Sequence, residues 1–235
     1  MTTTFITGAN KGLGYETARR LIAAGHTVYL GARNPALGRE AADRLSARFV
    51  EIDVTDDFSV AAAAKEVAAL GGLDVLINNA GVEGRTSVGD FIVPRNTTAQ
   101  NMLDVFDTNV FGVVRVLHRF LPLLEKSGSP VIVNVSSGLG LTRGLIDPAS
   151  AAHFYPAVAY PASKAAVNMI TVQYAKAFPD IRINAVEPGY TNTDLNYHSG
   201  TQTVEQGAEI IVRMAQINQD GPSGGFFDAN GSIAW

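Results

Sequence analysis

Tyr160 and Lys164 stand four residues apart in the run Tyr160-Pro-Ala-Ser-Lys164. That spacing puts both side chains on one face of a helix. A lysine charge beside a phenol favours the tyrosinate and lowers its pKa from the reference near about 10. A phenol tuned in this way works as an acid or base near neutral pH. Pro161 falls in the first turn, where its missing N–H costs nothing. A second polar signal closes the apolar run 130–136: the pair Ser136-Ser137. Hydride transfer to a ketone builds an alkoxide, so such a site needs a hydrogen-bond donor and a proton source at one oxygen. A serine and an activated tyrosine supply both, and no metal is needed. The histidines His26, His118, His153 and His198 form no ligand cluster with paired carboxylates, and the chain has no cysteine.

The stretch TGANKGLG, Thr7 to Gly14, offers a different chemistry. Gly8, Gly12 and Gly14 let the backbone turn sharply and approach a ligand without an intervening side chain, with Asn10, Lys11 and Leu13 around them. The helix that follows aims its N-terminal amides and positive dipole end at the turn, where a pyrophosphate fits. The glycine spacing differs from the G-x-G-x-x-G dinucleotide fingerprint. The next strand ends at Ala32-Arg33. An NAD site places an acidic side chain near this point to accept the ribose 2′-hydroxyl. Here Arg33 and Lys11 bring two cations and no carboxylate. That balance favours a 2′-phosphate, hence NADP(H), because Arg–phosphate pairs are strong charge-assisted contacts.

These residues must be held by an alternation of short apolar runs and longer amphipathic ones. The expected strands are 3–7, 27–32, 48–53, 73–78, 130–136, 182–187 and 225–228. The expected helices are 12–24, 35–47, one from Asp56-Asp57 to about Leu70, 98–126, 160–178 and 203–218. Strands separated by helices imply βαβ units, right-handed crossovers and a doubly wound parallel sheet of about seven strands, an α/β Rossmann architecture with helices on both faces. Strands such as VIVNV are apolar on both faces, as a covered sheet requires. Every motif above falls at a strand end or a helix start on one edge of that sheet. The 235 residues, 46% hydrophobic, suit a single domain, 1–235. A net charge of −4 without like-charge blocks argues against a nucleic-acid surface. No leader and no run of membrane-spanning length is visible, so a soluble cytoplasmic protein is the default expectation.

The motifs TGANKGLG, Asp53-Val54, NNAG (Asn78 to Gly81), Asn109, VNVSS, Tyr160-x-x-x-Lys164 and Pro188-Gly189 occur in this order. The chain thereby resembles the short-chain dehydrogenases/reductases, and its Lys11 and Ala32-Arg33 are similar to those of NADPH-dependent carbonyl reductases. The resemblance implies that Ser137 holds the substrate oxygen and that Tyr160 is the general acid for reduction. It also implies that Lys164 tunes Tyr160 and binds the nicotinamide ribose, and that Asn109 holds a relay water. Asp53 and Val54 then lie beside the adenine, and Asn79, Ala80 and Gly81 line the cofactor ribose. Pro188, Gly189, Thr191 and Thr193 flank the nicotinamide. The implied substrate is a small carbonyl compound or alcohol. A catalytically silent NADP(H)-binding regulator on the same fold would have lost the tyrosine or lysine, and both are present. A sugar-nucleotide epimerase using the same dyad would need a further C-terminal substrate domain.

One departure from the family pattern stands out. Ser137 and Tyr160 are 23 positions apart, where the family usually has about a dozen. The extra loop carries prolines, His153, Phe154 and Tyr155, which argues for an ordered, packed segment. Residues 138–159 are therefore expected to wall the substrate pocket. They are also expected to disturb the usual pairing of helices between subunits, leaving a monomer or weak dimer.

Overall fold

The computed structural model describes residues 2–235. The first half runs β1 (Thr3–Ile6), α1 (Gly12–Ala23), β2 (Thr27–Ala32), α2 (Pro35–Leu45), β3 (Arg48–Glu51), α3 (Asp57–Ala69) and β4 (Val75–Asn78). The second half runs α4 (Ala99–Phe106), α5 (Gly112–Leu124), β5 (Val131–Val135), α6 (Thr142–Ile146), α7 (Ala159–Ala177), β6 (Arg182–Val186), α8 (Val204–Ala215), β7 (Phe226–Asp228) and β8 (Gly231–Ile233). The strands form one sheet in the order β3-β2-β1-β4-β5-β6-β7-β8. β1 to β7 pair in parallel and β8 is antiparallel to β7. The strand order reverses between β1 and β4, which leaves a crevice at their carboxyl ends.

Alternation along each strand feeds two apolar layers. Phe5, Leu76 and Ile132 face α3, α5 and α7, while Ile6, Ile77 and Val133 face α1, α2 and α8. Phe5 stacks on Phe120 of α5 at 4.8 Å between ring centroids. Each such buried side chain contributes about 1.5–3 kcal/mol relative to exposure. A polar ladder crosses the first layer. Asn78 Nδ2 donates to Asn134 Oδ1 at 2.8 Å, Asn134 Nδ2 to Thr171 Oγ1 at 2.9 Å, and Thr171 to the Val167 carbonyl. It ties α7, which begins with the tyrosine motif, to β4 and β5.

The helix starts follow their caps. Asn34 accepts from the amides of Ala36 and Leu37, with Pro35 beside it. Asp56 accepts from Phe58, and Thr98 and Asn101 cap each other. Two expectations are corrected. The sheet has eight strands, because Asp228 Oδ1 accepts the amides of Asn230 and Gly231 and folds the chain back onto β7. The helix expected over 98–126 is split by a π-helical turn at Asp107–Phe111. Among the described residues no helix is long and apolar enough to cross a membrane.

Candidate active site

The crevice opens into a cavity of about 1190 Å³. Its floor is the glycine turn. Gly8 and Gly12 have φ of +64° and +57°, a region that side-chain-bearing residues rarely adopt. A Cβ on Gly12 would stand 3.7 Å from the Thr193 methyl across the cleft, so a side chain there would fill the space. Gly14 faces the protein instead: a Cβ on it would lie 2.6 Å from Asn79 Nδ2 and 2.8 Å from the Gly8 carbonyl. Lys11 occupies the N-cap of α1 without a side-chain cap bond, so its side chain satisfies none of the first-turn amides.

Thr7 joins this turn to NNAG. Its hydroxyl oxygen accepts from the amides of Asn79 and Ala80, and Asn79 Nδ2 donates to the carbonyls of Thr7 and Gly8. Sequence reasoning passed over Thr7 because one hydroxyl at a strand end carries no spacing signal.

Arg33, exposed at the end of β2, forms no ion pair among the described residues. Its charge reaches Asp53. Burial alone would raise that carboxyl, but bonds from the Thr55 amide and hydroxyl, together with the Arg33 charge, hold it below the usual range. Lys11 is differently placed: its Nζ meets Asp194 Oδ2 at 2.6 Å across the mouth of the cleft. On the opposite wall, Gly189 has φ of +80°. Thr191 is buried and receives a bond from Gln202 at 2.8 Å.

Tyr160 and Lys164 share a face of α7, as their spacing requires. The Ser137 hydroxyl accepts the Leu139 amide at 3.2 Å, and Ser137 acts on the Tyr160 phenol by favouring its charged form. Lys164 Nζ donates to the Val135 carbonyl at 2.8 Å and sits 5.4 Å from the Tyr160 ring centroid. Ser136 turns away, donating to Asn168 at 2.6 Å, and has a structural role. Asn109 lies in the π-helical turn behind the wall. Its Nδ2 donates to the Val82 carbonyl and to Ser163, and its Oδ1 accepts the Val82 amide. Ser163 in turn donates to the Tyr160 carbonyl at 2.7 Å.

The electrostatics correct one expectation. Burial pushes the Tyr160 phenol upward from its ordinary value, and the negative charges of Glu83 and Glu187 add to the rise. Ser137 opposes the rise, and Lys164 is not among the influences. Burial pushes Lys164 down to about 8. The free site therefore holds a protonated phenol rather than a lysine-stabilised phenolate.

Of the expected site residues, Gly14 and Asn109 sit behind the cavity wall and the others line it. The segment 138–159 also contributes, through Leu139, Arg143, Phe154 and Tyr155 among others. Glu83 and Glu187, single carboxylates next to glycine-rich turns, carry no spacing signal that would mark them from sequence.

A doubly wound sheet with a Ser–Tyr–Lys cluster at its switch point defines a dinucleotide-linked oxidoreductase class. The model of the short chain dehydrogenase family matches residues 2–203, and the chain belongs to that family. It is 33% identical to (−)-isopiperitenone reductase of Mentha piperita, over 97% of this chain and 96% of that one. That alignment runs over 306 residues against the 235 here, so the relative carries extra residues between the matched segments. Salutaridine reductase from Papaver somniferum superposes with a TM-score of 0.83 at 29% identity, covering 97% of this chain and all of that one. An NADPH-bound carbonyl reductase from chicken fatty liver gives 0.85 at 27% identity, covering 100% and 99%.

Proposed function

We propose that the chain is an NADP(H)-dependent carbonyl reductase, equally an alcohol dehydrogenase in reverse, with Tyr160 as its general acid. The observation that carries this reading is the buried Tyr160 phenol, lining the switch-point cavity together with Ser137 and Lys164. The reductases similar to this chain support it, and one of them is NADPH-bound. The cleft fits a dinucleotide: a glycine cradle that a Cβ would fill and an α1 N-terminus left without a side-chain cap. Gly8, Asn10, Gly12 and Leu13 would hold the pyrophosphate, and Asp53 and Val54 would border the adenine. Arg33 would meet the 2′-phosphate, with Lys11 joining it only by leaving Asp194. Asn79, Ala80, Gly81 and Lys164 would hold ribose, and Pro188, Gly189, Thr191 and Thr193 the nicotinamide end.

A nicotinamide held there would supply the hydride. Ser137 donates to the substrate carbonyl oxygen, and Tyr160 delivers its proton to that oxygen as charge develops there. Lys164 places a positive charge behind the phenol as its proton leaves. With both Nδ2 protons of Asn109 committed to Val82 and Ser163, a relay water at Asn109 would donate to Oδ1 or to the main-chain carbonyl.

The test is consumption of NADPH and of NADH with a panel of ketones and aldehydes. Preference for NADPH is expected. Removing a charged hydrogen bond costs about 1.5–3 kcal/mol, so Arg33→Ala should raise the NADPH KM at least about tenfold. Equal kcat/KM for the two cofactors would refute the assignment of the 2′-phosphate site.

A further inference from the structure

The proposed chemistry leaves one buried ion pair beside Tyr160 without a role. Glu83 follows NNAG closely, and its side chain is 8% exposed. Its Oε2 accepts from Arg85 Nε at 2.7 Å, and its Oε1 accepts the Tyr155 hydroxyl at 2.9 Å. Arg85 continues outward. Its guanidinium lies 3.7 Å from the Phe91 ring centroid and 5.3 Å from that of Tyr197, and it donates to the Gly89 carbonyl. Phe91 in turn meets Tyr155 edge-on at 5.1 Å.

These partners come from three segments distant in sequence: 83–91 after β4, 151–156 before α7, and 194–198 after β6. All three border the cavity, which Glu83, Phe91, Tyr155 and Leu195 line. The Tyr155 ring lies 6.2 Å from that of Tyr160. Taking two charges out of water is expensive, and an apolar pair of similar volume would often be as stable. What the ion pair adds is geometry: two directed bonds and two ring faces fixed around one guanidinium. Gly84, at φ of +74°, makes the turn that brings Glu83 and Arg85 together, and a Cβ there would come within 2.4 Å of Val105.

We propose that the Glu83–Arg85 pair is the hub that holds the three walls of the substrate pocket in register. Glu83 and Arg85 act as positioning residues, and Tyr155, fastened by Glu83, is the wall that meets the substrate beside Tyr160. The inference rests on the reading of this cavity as a carbonyl reductase site.

The test compares Tyr155→Phe, Glu83→Gln and the double variant, on a ketone that the unaltered protein reduces. Each single change should raise the ketone KM roughly tenfold, the scale of a hydrogen bond to a charged group; kcat should be little changed in Tyr155→Phe, whereas Glu83→Gln also removes a charge that raises the Tyr160 phenol. NADPH affinity, read by fluorescence titration, should stay the same. The double variant should raise the ketone KM no further than Glu83→Gln alone, because the Tyr155 hydroxyl acts only through its bond to Glu83. An unchanged KM in Tyr155→Phe would overturn the proposal, as would effects that multiply in the double variant or a parallel loss of NADPH affinity. Should Glu83→Gln fail to fold, Tyr155→Phe, which removes one hydroxyl from a half-buried segment, still decides. Tyr160→Phe in the same assay separates the two levels. If it stays active, the reading of the site fails. If it is inactive while the hub variants behave normally, the hub alone fails.

Discussion

Tyr160 and Lys164 are perturbed in opposite directions by one cause, the loss of water around them. Burial first, then the Glu83 and Glu187 charges, raise the phenol, and burial lowers the lysine to about 8. Tyr160 is therefore protonated throughout the neutral range, the form a reduction needs. Lys164 is charged below about pH 8 and neutral above it. The kcat/KM for NADPH in ketone reduction should stay level from mildly acidic pH and decline above about 8, as Lys164 loses its proton. A rate of reduction that climbs through that range would contradict this balance. The dyad itself was legible from a four-residue spacing and a neighbouring serine. The sense of the Tyr160 shift was not, because it depends first on burial and then on carboxylates from two other strand ends.

At the scale of elements, the glycine turn and α1 form one device, whose three glycines have different duties. Gly12→Ala forces an alanine to φ of +57° and points a methyl at Thr193. The left-handed conformation costs roughly 1–2 kcal/mol. NADPH affinity should fall at least about tenfold, the effect of about 1.4 kcal/mol of lost binding, while circular dichroism stays native-like. Unchanged affinity in a folded variant would show that the turn is not the cradle. Most elements were readable from apolar periodicity and caps such as Asn34, Asp56 and Thr98. β8 was not: three residues, Gly231–Ile233, are too short to show alternation and exist through pairing with β7. Nor was the π-helical turn, which sets Asn109 against Val82 and Ser163. Such turns frequently mark functional sites, and only the tertiary partners identify this one.

At the scale of the molecule, the alternation of strands and helices was enough to imply a doubly wound sheet, and the order β3-β2-β1-β4-β5-β6 bears that out. The shape of the pocket was beyond reach, since an ion pair and two rings set the paths of segments far apart in sequence. Leu103, Phe111, Val114 and Met169 are exposed on or beside α4, α5 and α7, the helices where subunits would meet. With the 138–159 segment alongside, we expect a monomer or weak dimer. Light scattering at micromolar concentration should give a mass between one and two chains, and a stable tetramer would refute it. The central claim is that this cavity reduces carbonyls with a proton from Tyr160. Its most direct test is ketone-dependent NADPH oxidation by Tyr160→Phe beside the unaltered protein, with NADPH binding measured on both. The account predicts equal binding and a kcat lower by about 10²–10⁴-fold, the usual worth of a general acid. A phenylalanine variant that keeps more than about a tenth of the original kcat would contradict it.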